Sequence, residues 1–262
     1  MAIIQASFMS EVLERQVGFT AIIPADSMCP PGAQGAASDE PMPTLYLLSG
    51  YSGSGFFWIY NHPVASLSSA NRLAIIMPDP ENHFYTDDDM FGYGWGKFIG
   101  TELVDYTRKV FNLSHKREDT IIGGFSMGGF GALLNGLTYR ETFGHIVAVS
   151  GALLTEGADQ GPNGSDNPFF RGIFGDPAKL AGSHHDPRAA AAAAVKEGNA
   201  PSLYMAVGYS DFLRQLNLSM VEYIRSLNYP GFIFEEGEGG HENKFCEDHV
   251  FRGVRLALGK EQ

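Results

Sequence analysis

The feature of this sequence that most restricts its fold is the alternation of short, mainly apolar runs with longer segments of helical period. Five apolar runs share this character and cover residues 45–48, 73–77, 120–122, 146–149 and 203–207. The clearest helical segments cover residues 97–110, 127–139, 211–227 and 244–258. Continuous apolar runs are typical of strands buried on both faces, and their alternation with helices indicates βαβ crossovers. The sequence therefore predicts an α/β fold with a mostly parallel central sheet and helices on both faces.

The first 43 residues predict a different local structure. Residues 3–8 and 17–23 are β-rich, which favours an N-terminal antiparallel hairpin at the sheet edge. Residues 24–43 are crowded with Pro, Gly, Ala, Ser and Asp, which indicates an exposed loop rather than a linker. Because 262 residues lie at the upper end of a single domain, we expect residues 1–262 to form one domain.

Residues 151–199 interrupt the alternation. They contain no strand pattern, and their alanine-rich helix is introduced by Asp186 and Pro187, a good N-cap followed by proline at the first helical position. An insertion after a strand of such a sheet falls on the face where ligands bind. Two interpretations of this segment are equally favoured: it forms a lid over the site, or it is a surface insertion with no role in binding.

Composition excludes several classes of function. The formal net charge of −12 disfavours binding to nucleic acid or to an anionic membrane surface. No run approaches the roughly 20 apolar residues of a membrane helix, and the N-terminus lacks the pattern of a signal peptide. We therefore expect a cytoplasmic protein. Cys29 and Cys246 are too few for a disulfide framework or a zinc site, so we interpret both as reduced thiols.

The strongest chemical signal is Gly124-Phe125-Ser126-Met127-Gly128, which follows an apolar run and opens a helical pattern. Gly-x-Ser-x-Gly in this context is typical of the nucleophile elbow of α/β-hydrolases, where the glycines let the helix pass close to the strand. The sequence lacks the lysine of a Walker loop and the spacing of a dinucleotide fingerprint. The alternative is a glycine-rich turn in which the serine has no chemical role. We predict instead that Ser126 is the nucleophile. The Met127 amide, at the helix N-terminus, would help to hold an oxyanion.

A serine nucleophile needs a general base and an acid that orients it, in the chain order Ser, acid, His. Asp211 lies just past the carboxyl end of the apolar run 203–207 and is the predicted acid. Its alternative role is the N-cap of the following helix, which its second oxygen could fill at the same time.

Chain order also selects the base from eight histidines. The six that precede Asp211 come too early: His62, His83, His115, His145, His184 and His185. Of the remaining two, His249 falls inside the predicted helix 244–258. His241 follows the strand-like residues 232–234 in a glycine-rich loop that can reach over the sheet. We therefore predict that His241 is the base.

The second oxyanion donor should come from a loop after an early strand. Ser49-Gly50-Tyr51 follows the apolar run 45–48, and we predict that the Tyr51 amide is that donor. An ordinary turn is the alternative, since Ser and Gly are favoured there as well. Five aromatic residues near these loops could line an acyl pocket, and we expect about half to be core instead: Phe56, Phe57, Trp58, Phe84 and Tyr85.

With these residues identified, the sequence resembles the esterase D group of α/β-hydrolases, and most of all its tributyrin (short-chain) esterases. The group also includes S-formylglutathione hydrolases and carbohydrate acetyl and feruloyl esterases. The resemblance is carried by residues 124–133 and by shorter stretches that span nearly the whole chain: 77–79, 84–87, 116–119, 208–213 and 239–242.

The resemblance implies hydrolysis of short-chain acyl esters through an acyl-enzyme, with no metal or cofactor, and gives Ser126, Asp211 and His241 the same roles. Two departures concern the substrate. Many of these esterases have His-Gly where this chain has Ser49-Gly50, a start more like that of the S-formylglutathione hydrolases. Those hydrolases usually carry a histidine where this chain has Phe125.

Three alternatives stay open beside a serine carboxylesterase. One is a thioesterase acting on S-formylglutathione, and another is a carbohydrate acetyl or feruloyl esterase. The third, from a different class, is a non-catalytic binding protein of the same fold, against which the complete set of Ser126, Asp211 and His241 argues. The expected partner is a small-molecule ester, and homo-oligomerisation is left open.

Overall fold

A single sheet of eight strands organises the computed structural model, which describes residues 1–24, 40–79, 81–88, 92–154 and 168–261. In chain order the strands are β1 (Ala2–Ser10), β2 (Arg15–Ile23), β3 (Thr44–Leu48), β4 (Ala74–Pro78), β5 (Thr120–Phe125), β6 (His145–Val149), β7 (Ser202–Gly208) and β8 (Phe232–Gly237). Across the sheet their order is β1-β2-β4-β3-β5-β6-β7-β8. Strands β3 to β8 run parallel to one another, whereas β2 runs antiparallel to β1 and β4. The predicted parallel sheet with an N-terminal antiparallel hairpin is confirmed.

Helices cover both faces of this sheet. Those in the described residues are α1 (Phe57–Asn61), α2 (Val64–Asn71), α3 (Trp95–Lys97), α4 (Leu103–Val110), α5 (Met127–Thr138), α6 (Pro168–Phe174), α7 (Pro187–Glu197), α8 (Arg214–Ser226) and α9 (Asn243–Ala257). Successive strand residues point to opposite faces, so Ile121 and Ile122 of β5 enter two different apolar clusters. The cluster around Ile121 includes side chains of α1, α2 and α9, and the cluster around Ile122 includes those of α4, α5, α7 and α8.

Two predicted helices have different boundaries in the structure. The predicted helix 97–110 is α3, a π-helical turn over Phe98–Glu102 and then α4. Apolar periodicity locates the buried face of a helix but does not distinguish these hydrogen-bond patterns. Helix α8 begins at Arg214 rather than at Asp211, and its N-cap residue is Leu213. Asp211 thus lies two residues before the N-cap residue of this helix, the position given above as its alternative role.

The insertion at residues 151–199 is described at its two ends, while residues 155–167 lie outside the described residues. Its alanine-rich helix is α7, and the Asp186 carboxylate accepts a hydrogen bond from the Arg188 amide at 2.8 Å, as an N-cap does. Helix α6, which the sequence did not predict, also belongs to this insertion. That residues 151–199 act as a lid stays a prediction.

Several other predictions concern single positions or segments. Residues 25–39 of the predicted exposed loop, including Cys29, lie outside the described residues. Cys246 is a free thiol buried on α9, and burial raises its pKa well above its ordinary value. Among the described helices, none combines the length and the apolar character that crossing a membrane requires.

The parallel strands place several loops at one edge of the sheet. The loops after β3, β5, β6, β7 and β8 all begin at the carboxyl end of a strand, which is where ligands bind in open α/β sheets. All the side chains and amides predicted to take part in chemistry lie on these loops or directly after them.

Candidate active site

Ser126 stands between β5 and α5 in a backbone conformation that L-residues rarely adopt, with φ 59° and ψ −119°. The turn is possible because glycines flank it at close quarters. A Cβ on Gly128 would lie 2.2 Å from the Leu48 carbonyl oxygen, and one on Gly124 would lie 2.4 Å from the Gly128 carbonyl oxygen. The first turn of α5 therefore packs directly on the β3–β5 backbone. Ser126, at its start, is partly exposed.

His241 reaches Ser126 from the loop after β8. Its Nε2 lies 2.9 Å from the Ser126 hydroxyl oxygen. The imidazole contacts two aromatic rings, Phe125 at a centroid distance of 4.5 Å and Phe212 at 4.6 Å. These contacts limit the orientations of the ring and leave its Nε2 directed at the nucleophile.

Asp211 lies on the other side of the imidazole, in the loop after β7. Its Oδ2 and Oδ1 are 3.0 and 3.2 Å from His241 Nδ1, and Oδ1 also accepts a hydrogen bond from the Leu213 amide at 2.8 Å. The N-cap alternative is thus partly realised, because the carboxylate binds an amide near the start of α8 as well as the imidazole.

The Asp211 carboxylate is buried but keeps a low pKa. Burial by itself would raise this pKa, and the interactions with His241, the Ser150 hydroxyl and the Leu213 amide outweigh it. The buried Ser150 hydroxyl forms no hydrogen bond of ordinary geometry, so His241 and the Leu213 amide are the main groups that keep the pKa of Asp211 low. An ionised carboxylate at this position fixes the proton of His241 on Nδ1 and leaves Nε2 free to accept one.

Three other ionisable residues near His241 in sequence have different surroundings and partners. Glu242, next to the histidine in sequence, is exposed, and Asp248 forms an ion pair with Lys244 on the surface of α9. His249 lies on the same helix with its Nδ1 2.7 Å from the Tyr204 hydroxyl. It packs against Tyr204 of β7 and is absent from the described lining of the cavity at Ser126.

The residues of both predicted oxyanion donors lie close to Ser126. Met127 is the first residue of α5, where amides have no partner within the helix. Tyr51 follows Gly50, whose position is so close to the nucleophile that an added Cβ would lie 3.5 Å from the Ser126 Cβ. One cavity is lined by Tyr51, Ser126, Met127 and His241. Asp211 lies behind His241 and binds its Nδ1. The structure brings all five predicted residues together, while their catalytic roles stay predictions.

The cavity at Ser126 has a volume of about 420 Å³ and is mainly apolar. Its lining residues are Gly50, Tyr51, Phe57, Phe84, Phe125, Ser126, Met127, Ala152, Leu154, Phe170, Phe212, Leu213, His241 and Asn243. Of the aromatic residues proposed from sequence, Phe57 and Phe84 line the cavity, whereas Trp58 and Tyr85 are buried in the core. Phe56 packs against Tyr60 instead. No lysine or arginine belongs to the described lining.

Sequence reasoning missed some residues of the site. Phe170 of α6 and Leu154 bring the insertion into the cavity wall, and no motif marked either of them. Phe212, which packs on His241, directly follows the predicted acid and is 74% exposed. Its position next to the predicted acid is visible in the sequence, whereas its exposure and its contact with His241 are not. Among the described residues, no group of three or more His, Cys, Asp or Glu is placed to hold a metal ion.

A model of one protein family matches most of this chain. The Esterase family matches residues 10–258. The chain is also 37% identical over 256 residues to an acetyl esterase of Caldicellulosiruptor saccharolyticus, covering 95% of this chain and 96% of that protein.

Two solved structures from Staphylococcus aureus are similar along their whole length. An S-formylglutathione hydrolase has a TM-score of 0.83 and 27% sequence identity, with 98% of each chain covered. A fluorophosphonate-binding serine hydrolase, solved with bound substrate, has a TM-score of 0.85 and 28% identity, again with 98% of each chain covered.

Proposed function

This chain belongs to the Esterase family and is a carboxylic-ester hydrolase, and we propose that it cleaves small, uncharged acyl esters with Ser126 as its nucleophile. One observation carries the proposal. Asp211, His241 and Ser126 form a continuous series of contacts of 3.0 and 2.9 Å that opens into an apolar cavity.

The proposed reaction passes through a covalent acyl-enzyme. Ser126 attacks the ester carbonyl carbon while His241 Nε2 takes its proton, and Asp211 stabilises the imidazolium that forms. The tetrahedral intermediate collapses as His241 returns the proton to the leaving alcohol. Water then attacks the acyl-enzyme by the same route, which releases the carboxylic acid and restores Ser126.

The charge that develops on the carbonyl oxygen requires hydrogen-bond donors that are already in place. We assign this role to the amides of Met127 and Tyr51, which flank Ser126 from α5 and from the loop after β3. Each such donor typically contributes about 3 kcal/mol of transition-state stabilisation. The first turn of α5 packs closely on β3, and hydrogen bonds hold the loop of Tyr51, so both donors need little reorganisation during the reaction.

The cavity favours a small, neutral acyl group. Its volume of about 420 Å³ is near the lower end of the usual range for small-molecule sites, about 300–1,000 Å³. The described lining is mainly aromatic and aliphatic, and its charge comes only from His241 when protonated. The 37% identical relative acts as an acetyl esterase, which agrees with a short acyl chain.

S-Formylglutathione is the second candidate substrate, favoured by the similarity to a hydrolase of that name. Glutathione carries two carboxylates and one ammonium group, so a site that binds it tightly should offer cationic side chains. The described lining offers no Lys or Arg, and the net charge of the chain is −12. We therefore rank the thioester below a neutral ester.

A substrate series tests this choice. We expect kcat/KM to be highest for p-nitrophenyl acetate or butyrate and to fall for the octanoate, because a chain longer than the cavity must displace aromatic side chains. S-Formylglutathione and feruloyl esters should be poorer substrates under the same conditions. A higher kcat/KM for S-formylglutathione than for every acyl ester would overturn the proposed substrate class and leave the serine mechanism intact.

A further inference from the structure

The segment Phe84–Asp87 takes no part in the mechanism above, although it lies between the nucleophile helix and the loop that carries Tyr51. Phe84 and Tyr85 have positive φ angles of 53° and 55°, and both side chains are buried. Bulky residues rarely adopt this conformation, and it persists only where the surrounding structure holds it. The contacts of Tyr85 indicate a role for this conformation.

Tyr85 connects two parts of the site. Its phenol donates a hydrogen bond to the Ser49 carbonyl oxygen at 3.0 Å. Because the phenol has one proton, the Ser49 hydroxyl, 3.3 Å away, donates to the phenol oxygen in turn. The backbone carbonyl of Tyr85 accepts a hydrogen bond from the Asn135 side chain at 2.8 Å. Asn135 lies on α5, so Tyr85 joins the helix that begins after Ser126 to the loop after β3.

That loop is fixed on both sides of the Tyr51 amide. The Gly50 carbonyl, which belongs to the same peptide unit, accepts a hydrogen bond from the Gly53 amide at 3.0 Å. The Ser52 amide donates to the Asn82 side chain at 2.6 Å. Peptide units are planar, so the direction of the Tyr51 N–H depends on how its neighbours are held. Tyr85 holds the preceding peptide unit through Ser49.

We propose that Tyr85 is a positioning residue for ester hydrolysis, whose phenol holds the Ser49 carbonyl and thereby directs the Tyr51 amide at the tetrahedral oxyanion. The proposal rests on the proposed function, in which Tyr51 supplies one of the two donors. Tyr85 itself is absent from the described lining of the cavity, so it acts through the loop. Burial raises its pKa far above the ordinary value for tyrosine, and the phenol stays a donor at every pH where the enzyme works.

Tyr85→Phe tests the proposal because it keeps the buried ring and removes only the hydroxyl. We expect kcat to fall by about 100-fold, the size expected when a catalytic group is misplaced by about 1 Å, with KM little changed. A trifluoromethyl ketone that forms a tetrahedral adduct should bind more weakly by the factor lost in kcat/KM, since both depend on the oxyanion donors. The pH dependence of kcat/KM should stay as in the wild type, because His241 and Asp211 are untouched.

Tyr46→Phe is the matched control. Tyr46 lies on β3, just before the same loop, is fully buried, and has its hydroxyl 2.8 Å from the Thr107 hydroxyl. Both variants should lose a similar free energy of unfolding, but only Tyr85→Phe should lose turnover. Equal kcat values for the two folded variants would overturn the proposal. So would a loss in Tyr85→Phe that comes with a shifted pH profile, because that would indicate a disturbed His241.

A second variant keeps the proposal testable if Tyr85→Phe does not fold. A Cβ on Gly131 of α5 would lie 2.6 Å from the Tyr85 ring, whereas one on Gly136 of the same helix would meet Ile146. Gly131→Ala should therefore lower kcat with the signature described above, and Gly136→Ala should not. Equal activity in these two variants would contradict the role of Tyr85. A wild type without esterase activity would instead refute the proposed function.

Discussion

At the scale of single residues, the proposed chemistry depends on three side chains whose effects cannot be separated. Ser126 is a weak nucleophile unless His241 takes its proton, and His241 offers the correct nitrogen only while Asp211 binds the other one. Because contacts of 2.9 and 3.0 Å join them, we expect the loss of any one to disable the others.

The first prediction uses this interdependence. Ser126→Ala should lower kcat by about 10⁶-fold, and adding His241→Ala to it should cost little more, because the residual rate then comes from the oxyanion donors and binding alone. Turnover of p-nitrophenyl acetate by the two single variants and the double variant measures this, with circular dichroism as the control for folding. Losses that multiply in the double variant would show that the two residues act separately.

The second prediction concerns the acid. Asp211→Asn should lower kcat by about 10⁴-fold, because an amide favours the wrong tautomer of the imidazole. Glu242→Gln is the control, since Glu242 is exposed and adjacent to His241 in sequence, and its kcat should match the wild type. A crippled Glu242→Gln beside an active Asp211→Asn would mean that the acid is misassigned.

At the scale of elements, apolar runs predicted the central strands well and helix details less well. The five runs correspond to β3–β7 because a strand buried on both faces leaves little choice of residue. The short helices α1 and α2 were not predicted, since five to eight residues carry too little periodicity. Helix α6 was missed for the same reason, and with it the contribution of Phe170 to the cavity.

The third prediction belongs to the contact between β3 and α5. Gly128→Ala should lower the free energy of unfolding by about 3 kcal/mol, because the added Cβ would lie 2.2 Å from the Leu48 carbonyl oxygen and backbone cannot easily move away. Gly237→Ala is the control, since its Cβ would have its nearest described neighbour at 3.7 Å. Urea unfolding of both variants measures the difference. Equal stabilities would contradict the close packing at the elbow.

At the scale of the whole molecule, the α/β-hydrolase fold predicted from sequence is confirmed by similarity to solved structures along the full chain. Chain order placed Asp211 and His241 on the same sheet edge as Ser126 without knowledge of any distance. The approach of Ser150 to Asp211 and of Phe212 to His241 could not be predicted, because each depends on how separate loops fold over that edge.

The fourth prediction concerns the response of the whole enzyme to pH. The pKa of Asp211 lies below its ordinary value, so this carboxylate stays ionised as the pH falls through the weakly acidic range. Only the proton taken up by the general base should then reduce kcat/KM, which should decline with unit slope toward acid pH and level off at alkaline pH. Chelators should leave the profile unchanged, since no step uses a metal-bound water. A slope of two, or activity lost with EDTA and restored by a divalent ion, would contradict the mechanism.

The central claim, that Ser126 is the activated nucleophile of an esterase, is tested most directly by covalent labelling. A fluorophosphonate probe should modify the folded wild-type protein once per chain, with the adduct mapped by mass spectrometry to the peptide that contains Ser126. Heat-unfolded protein and Ser126→Ala should remain unlabelled. Absence of labelling in folded protein would support the non-catalytic binding protein, and an adduct at another residue with ester turnover retained in Ser126→Ala would refute the assignment of the nucleophile.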